Sequence, residues 1–497
     1  MAPSMLASSI FLPVMALLLP FSPTIAFHTS PLTSSASSSR LYKSSSPSDS
    51  SDESISRREF NAFGFALALG LPAASMNSMY TRTPSDYPLW PLLPVGPYKR
   101  KKTIFNTVVP DSIYTLEQKF GILNVQVPIR STIVALKGGG LFVYDPVAPT
   151  KEATAMIDDL VKKHGPVKHV VLGSVAIEHK VYAGIFSQKY PEAAVWVQPG
   201  QYAFPNDLPL EFVGFPRGTR MIPSSMDPEV YPEDWKRSGL EYATLGPFIS
   251  RDGAFGETVF YHGPTKTLLV TDTVVEVSKE VPAIFADDPA PLLYHARDTV
   301  SDIVEDSEDV RQRGWMRIVL FGLFFNPKDI DVKETDVALR ERRPDINPDF
   351  AGIYPWDWVG DKGASSFKAL EGGLLVPPIL QELILNRNPI ETLDFADQVS
   401  RWDFNRIIPA HLKGDVKANG AAYRASFSFL EEKGVKKGMP SPLQGDNKLL
   451  SDSSVNLIES GAVSAVPPLP GGTVSRQDII ARSAYGCRGG ICTPRAK

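Results

Sequence analysis

One stretch constrains the fold more than any other: Val167 to Pro199, VKHVVLGSVAIEHKVYAGIFSQKYPEAAVWVQP. Its β-branched run predicts a buried strand over Val167–Leu172. Gly173–His179 reads as a tight loop, Lys180–Tyr190 has the apolar spacing of a helix, and Ala194–Val197 reads as a second strand before a proline. A strand–loop–helix–strand unit presents its loop at the carboxyl end of a parallel sheet, where α/β folds hold their ligands. That loop, GSVAIEH, sets Glu178 and His179 side by side. A site there needs partners from elsewhere in the chain.

The other elements also alternate between strand and helix. Ile122–Pro128, Ser131–Leu136 and Leu141–Tyr144 read as strands, with Gly138-Gly139-Gly140 as a hairpin turn. No helix and no Gly-Lys-Ser follow the glycines, which argues against a phosphate cradle. Thr150 is placed to cap an amphipathic helix over Lys151–His164. Gly256–Tyr261 and Thr267–Val277 read as an antiparallel pair joined at His262-Gly263-Pro264. Asp272 interrupts the second of these, an expensive place for a carboxylate unless it is hydrogen-bonded, at a strand end or bound to a cation. Residues 289–373 read as a helical, irregular insert. Pro389–Trp402 reads as a helix leading into a short strand that ends on His411. The expected fold class is mixed α/β, one domain over 86–435, followed by a disordered Ser/Pro/Gly-rich tail over 436–497.

Length and composition narrow the function classes. With 497 residues, 43% hydrophobic and 21% charged, the chain has the balance of a globular protein, and its net charge of −4 gives no case for nucleic acid as a partner. Its 2 cysteines, Cys487 and Cys492, exclude a Cys-rich zinc site and a disulfide framework. They are compatible with one small disulfide or with two thiols. The cluster Lys99–Lys102 reads as a solvated turn after the lead-in Pro88–Pro94. No apolar run after the N-terminal region is long enough to cross a bilayer, so no transmembrane segment is expected in the mature chain.

Residues 1–80 read as an address. Ile10–Phe21 has the length of a signal-peptide core and Thr24-Ile25-Ala26 that of a cleavage site, giving a signal peptide over 1–26. Residues 27–55 are Ser-rich and poor in acids, like a plastid transit segment. Ala26-Phe27 resembles the signal-to-transit junction of algae whose plastids lie inside additional membranes. Ser56-Arg57-Arg58, the apolar run Ala62–Leu71 and the small residues Ala73-Ala74-Ser75 resemble a twin-arginine signal over 56–80. The expected destination is the plastid, in the thylakoid lumen, with the stroma as the alternative.

The order of the pieces resembles the metallo-β-lactamase-like superfamily, whose αββα sandwich carries a loop H-x-H-x-D-H, a later metal-bridging Asp and a last strand ending in His. Here the loop aligns as Ser174-Val175-Ala176-Ile177-Glu178-His179, the bridging Asp as Asp272 in LLVTDT and the last His as His411 in RIIPAH. The superfamily's middle histidine falls near Asp252 to Ala254, where no His stands. The segments IEHKVYAGIFSQKYPEAAVWVQPGQYAFP, TLLVTDTVVEV, RGWMRIVLFG and DFNRIIPAHL resemble, within that superfamily, an uncharacterised family of plant chloroplast and cyanobacterial proteins.

The resemblance implies a degenerate metal motif. The first metal position of the superfamily has lost its histidines, since Ala has no donor atom and a lone Ser hydroxyl is a poor transition-metal ligand. The second keeps a ligand atom at each place: Glu178, His179, Asp272 and His411. Such a set suits one divalent metal, zinc, iron or manganese, and no other cofactor is expected. Glu178 is one methylene longer than the superfamily's Asp, which shifts its carboxylate. The same residues have structural readings: Glu178 and His179 as caps of the following helix, Asp272 as a backbone acceptor, His411 as a core histidine. His164 and His169 lack such partners. The expected function is therefore a non-catalytic role binding a small molecule or protein partner, with a mononuclear hydrolase of a small ester, lactone, thioester or phosphoester as the alternative.

Overall fold

The computed structural model describes residues 101–122, 124–202, 209–223, 230–250 and 253–469, with the backbone of strands Tyr485–Arg488 and Ile491–Pro494. The three targeting segments, the Pro88–Pro94 lead-in, Lys99, Arg100 and Asp252 lie outside the described residues.

Strands β1 (Ile104–Val109), β2 (Ile113–Ile122), β3 (Val125–Ala135) and β4 (Leu141–Tyr144) form an antiparallel meander. Helix α1 (Lys151–His164), capped by Thr150 on the Ala153 amide, then carries the chain over to β5 (Val167–Leu172), parallel to β4. Helix α2 (Ile177–Ser187) crosses to β6 (Ala194–Val197), and β7 (Arg220–Met221) completes a seven-stranded sheet in chain order. A second sheet orders strand Arg406–Pro409, β10 (Thr267–Val270), β9 (Gly253–His262) and β8 (Leu240–Ser250).

The apolar faces dictate how these layers stack. Phe142, Tyr144 and Trp196 of the first sheet meet Trp235, Tyr242, Phe260 and Ile408 between the sheets. Ile157 of α1 and Val181 and Phe186 of α2 cover the outer face of the first sheet, against Val143, Val170 and Val195. The outer face of the second sheet, with Val259, Leu268 and Ile407, lies under helices Glu308–Phe324 and Pro389–Val399. The result is an αββα sandwich, the fold class expected. Each large side chain sealed this way contributes about 1.5–3 kcal/mol, and no helix among the described residues is long and apolar enough to cross a membrane.

Some elements differ from their sequence reading. Ile122–Pro128 and Ser131–Leu136 are not separate strands: β3 runs unbroken through Pro128, whose half of the strand is paired only with β2. A one-sided strand tolerates a residue without an N–H. Helix α2 begins at Ile177, not Lys180, so Glu178 and His179 lie in its first turn; Ala176 supplies no side-chain cap to mark that start. Strand β10 stops at Val270 and leaves Asp272 just beyond its end. The ordered chain does not end at Lys436. A helix forms over Lys448–Glu459 and buries Leu450, Ser453 and Ser454. Asn447 donates to Glu382 and Arg387 to Ser454, at 3.0 and 2.8 Å. Two of the three buried residues are serines, set between Leu450 and the half-buried Leu457, so the apolar stripe is interrupted. In the C-terminal hairpin Cys487 stands directly opposite Cys492, a backbone arrangement compatible with closing the small disulfide.

Three buried histidines make the fold acid-sensitive. Burial pushes His169 and His262 down to about 4 and His295 to about 3. Their folded values lie below the unfolded value of about 6.5, so stability is present above that pH and falls as pH drops. Between pH 6.5 and about 4 the three together are expected to remove about 4 kcal/mol per pH unit. Of this the buried Glu257 carboxyl, raised to about 8, returns about 1.4 kcal/mol per unit down to pH about 4.5. Urea midpoints measured across that window test this; a flat profile contradicts it.

Candidate metal centre

Parallel register brings two of the site residues together. Strand β10 pairs with Arg406–Pro409 so that Val270 faces Pro409. Asp272 and His411 each lie two residues beyond that pair, at the same carboxyl edge of the sheet. The third residue arrives from the other sheet. After β5 the chain passes through Gly173, where a Cβ would lie 2.3 Å from the Tyr144 ring, so only glycine allows the path. Ser174 then bridges to Glu257 on β9, and the first turn of α2 delivers Glu178 and His179.

Ligand atoms of Glu178, His179, Asp272 and His411 all lie within 4.8 Å of one another, the one such grouping among the described residues. Three of them form a tight triangle. His179 Nε2 and His411 Nε2 are 3.1 Å apart, and Asp272 Oδ1 lies 3.5 Å from the first and 3.4 Å from the second. Metal–nitrogen bonds of about 2.05 Å give donor–donor edges of about 3.3 Å in a tetrahedral site, so the triangle has the dimensions of one coordination face.

Surrounding bonds orient His411 and Asp272, while the buried Nδ1 of His179 has no hydrogen-bond partner among the described residues. His411 Nδ1 donates to the Pro128 carbonyl at 2.9 Å, and because a carbonyl only accepts, the neutral ring keeps its Nε2 lone pair toward the triangle. Asp272 Oδ2 accepts from the Ser174 hydroxyl at 3.0 Å, leaving Oδ1 for the imidazoles. The backbone around Asp272 is gripped by Glu257, whose two oxygens accept from the amides of Thr271, Asp272 and Thr273 and from the Thr273 hydroxyl at 2.8–2.9 Å. Asp145 ties the two sheets together, accepting from the Gly173 amide at 2.8 Å and the Thr271 hydroxyl at 2.6 Å.

Charge is concentrated here. Burial works against ionisation of Asp272, but the two imidazoles hold its carboxyl far below the usual carboxylate range. Burial alone would lower His179; the hydrogen bond and charge of Asp272, then Asp145 and Glu178, raise it to about 9. Burial, then Asp272, raises the Glu178 carboxyl. Burial, then Asp272, pushes Glu257 up to about 8 against the pull of its donors. Without a metal, a proton therefore sits on His179 beside Asp272.

The four aligned residues thus come together. The first metal position does not: the Ser174 hydroxyl is taken by Asp272 and by the Ala176 amide, at 3.0 and 3.1 Å, and Ala176 offers a methyl group. The glycine turn is no anion cradle, since Gly139 and Gly140 donate to the carbonyls of Leu136 and His164. His164 meets the Tyr114 hydroxyl and His169 accepts from Trp196, both outside the grouping. Sequence reading missed Asp145, Glu257 and Pro128. The first two carried the signal that singled out Asp272, a carboxylate in or beside an apolar strand.

The sequence profile of DUF4336, a domain of unknown function, matches residues 110–429. The chain belongs to the DUF4336 family. A comparison with curated proteins gives no match. Among solved structures, the flavodiiron core of Flv1 from Synechocystis is similar at 10% identity and a TM-score of 0.33, over 66% of this chain and 60% of that one. A flavoprotein from Thermotoga maritima is similar at 11% and 0.33, over 68% and 63%. A metallo-β-lactamase from Pontibacter korlensis is similar at 12% and 0.27, over 54% and 99%. The chain spans about three fifths of the length of the first two of these structures. Likeness at that level carries no function, and the DUF4336 site has to be judged on its own geometry.

Proposed function

We propose that this DUF4336 protein holds one divalent metal with His179, His411 and Asp272, with Glu178 beside them, and is a mononuclear hydrolase of a small ester, lactone, thioester or phosphoester. The observation that carries the reading is the triangle of 3.1, 3.4 and 3.5 Å whose His411 corner is fixed in the metal-binding tautomer by Pro128. Two imidazoles and carboxylate suit zinc, iron or manganese. A dication bound there supplies a Lewis acid that polarises a carbonyl or phosphoryl oxygen. Ser174 keeps Asp272 turned toward the imidazoles, and Glu178, within 4.8 Å of the other three donors, faces the same space.

Protein purified without added metal is expected to carry one equivalent. Affinity should rise about tenfold per pH unit up to pH about 9, because binding displaces the proton on His179. Clearly substoichiometric metal that no added zinc, iron or manganese corrects overturns the reading.

A second reading is favoured by the missing donors at Ser174 and Ala176: a non-catalytic protein that keeps the fold to bind a small molecule or protein partner. The two separate on a hydrolysis screen of metal-loaded protein against the four substrate classes. For location, the three N-terminal segments support the plastid, in the thylakoid lumen. A mature N-terminus near Met76 fits that; one between Phe27 and Ser56 places the protein in the stroma.

A further inference from the structure

The turn that carries His411 is held in an unfavourable shape by a group from the other sheet. Leu412, the next residue, has φ +53, in the left-handed region that a leucine rarely adopts. Arg130 on β3 reaches that turn from both sides: one guanidinium nitrogen donates to the Pro409 carbonyl at 2.5 Å and another to the Leu412 carbonyl at 2.9 Å. Nε, at 3.1 Å, and the nitrogen that bonds Leu412 also donate to Glu117. Both side chains are buried, at 4% and 8% exposure, so neither is a surface pair averaged away by solvent. Gly414 closes the turn against the guanidinium, where a Cβ would lie 2.7 Å from the Arg130 Cζ. Two residues earlier on β3, the Pro128 carbonyl accepts from His411 Nδ1.

We infer that Arg130, held by Glu117, is a positioning residue for His411. Its fork fixes the backbone on either side of the histidine while Pro128 fixes the ring, so one short piece of β3 sets where Nε2 points. Lysine cannot replace it, since a single ammonium does not span two carbonyls and a carboxylate in one plane. This inference rests on the metal reading for its consequence, but the arrangement of the imidazole can be read with no metal at all.

The test uses the full chain and the variants Arg130→Lys and Gly414→Ala; the second displaces the guanidinium without removing a charge. Histidine-selective NMR of metal-free protein is expected to show His411 as the Nδ1–H tautomer in the parent and a loss of that state in both variants. Cobalt(II) affinity, from competition with a chromogenic chelator, is expected to fall about ten- to a hundredfold, with an altered cobalt absorption spectrum. Thermal midpoints taken alongside separate positioning from unfolding. Should Arg130→Lys fail to fold, the paired variant Glu117→Gln with Arg130→Met removes the buried charges together and is read in the same way. An unchanged tautomer and unchanged affinity in folded variants overturn the positioning role. A parent protein that binds no cobalt while its His411 tautomer still depends on Arg130 overturns the metal reading and leaves the positioning standing.

Discussion

Replacing His411 or His179 by alanine is expected to abolish stoichiometric metal binding. Each nitrogen is one corner of a triangle whose edges are 3.1–3.5 Å, and alanine leaves that corner with no donor. The fall should exceed the about hundredfold that loss of an outer-shell partner causes. A graded series sharpens the expectation. Asp272→Ala should match the histidine variants. Ser174→Ala should lower affinity about ten- to a hundredfold, since it frees Asp272 Oδ2 without touching a donor. Glu178→Gln should matter least for affinity, because Glu178 lies in the grouping but outside the tight triangle. Metal content by elemental analysis and chelator competition decide it. Equal affinity across the parent, His411→Ala and His179→Ala would remove the site from consideration.

Glu257→Ala is expected to produce the largest loss of stability. The carboxyl group is fully buried and takes three backbone amides and one hydroxyl at 2.8–2.9 Å. Alanine leaves all four donors without a partner, each worth about 1–3 kcal/mol when buried and unsatisfied. A loss of at least about 4 kcal/mol is a large share of the about 5–15 kcal/mol that holds a domain together. Glu257→Gln keeps the volume but turns an N–H toward donors, so it should unfold less readily and still loosen Asp272. Urea denaturation and metal affinity, measured on the same preparations, should fall together. A Glu257→Ala protein within about 1 kcal/mol of the parent would show that the Asp272 turn holds itself.

Legibility in the sequence followed the range of the interaction. Strand β5, helix α1 with its Thr150 cap and strand β6 have the bounds that their side-chain patterns predict, because a cap and a periodicity are local. The start of α2 was not legible, since Ala176 marks no boundary and the helix is set by what packs on Val181 and Phe186. Helix Lys448–Glu459 was hidden for the related reason that serines, not leucines, make most of its buried face.

The residues alone determined the mixed α/β class, because strand and helix period belong to short windows. The four candidate donors came from the resemblance of the GSVAIEH loop, LLVTDT and RIIPAH to the metallo-β-lactamase-like pattern. The residues also determined that Ala176 could not bind a metal, since a methyl group has no donor wherever it is placed. Only the tertiary structure decided that Glu178 and His179, across the sandwich from Asp272 and His411, meet within 4.8 Å. It alone brought Pro128 and Arg130 to the His411 turn, over 283 and 279 residues of chain from their partners His411 and Pro409. Pairing over that span is set by sheet register and by the shared core between the layers, which no local pattern encodes. The GSVAIEH loop thus supplies half of a site, and the parallel register of Val270 with Pro409 supplies the other half.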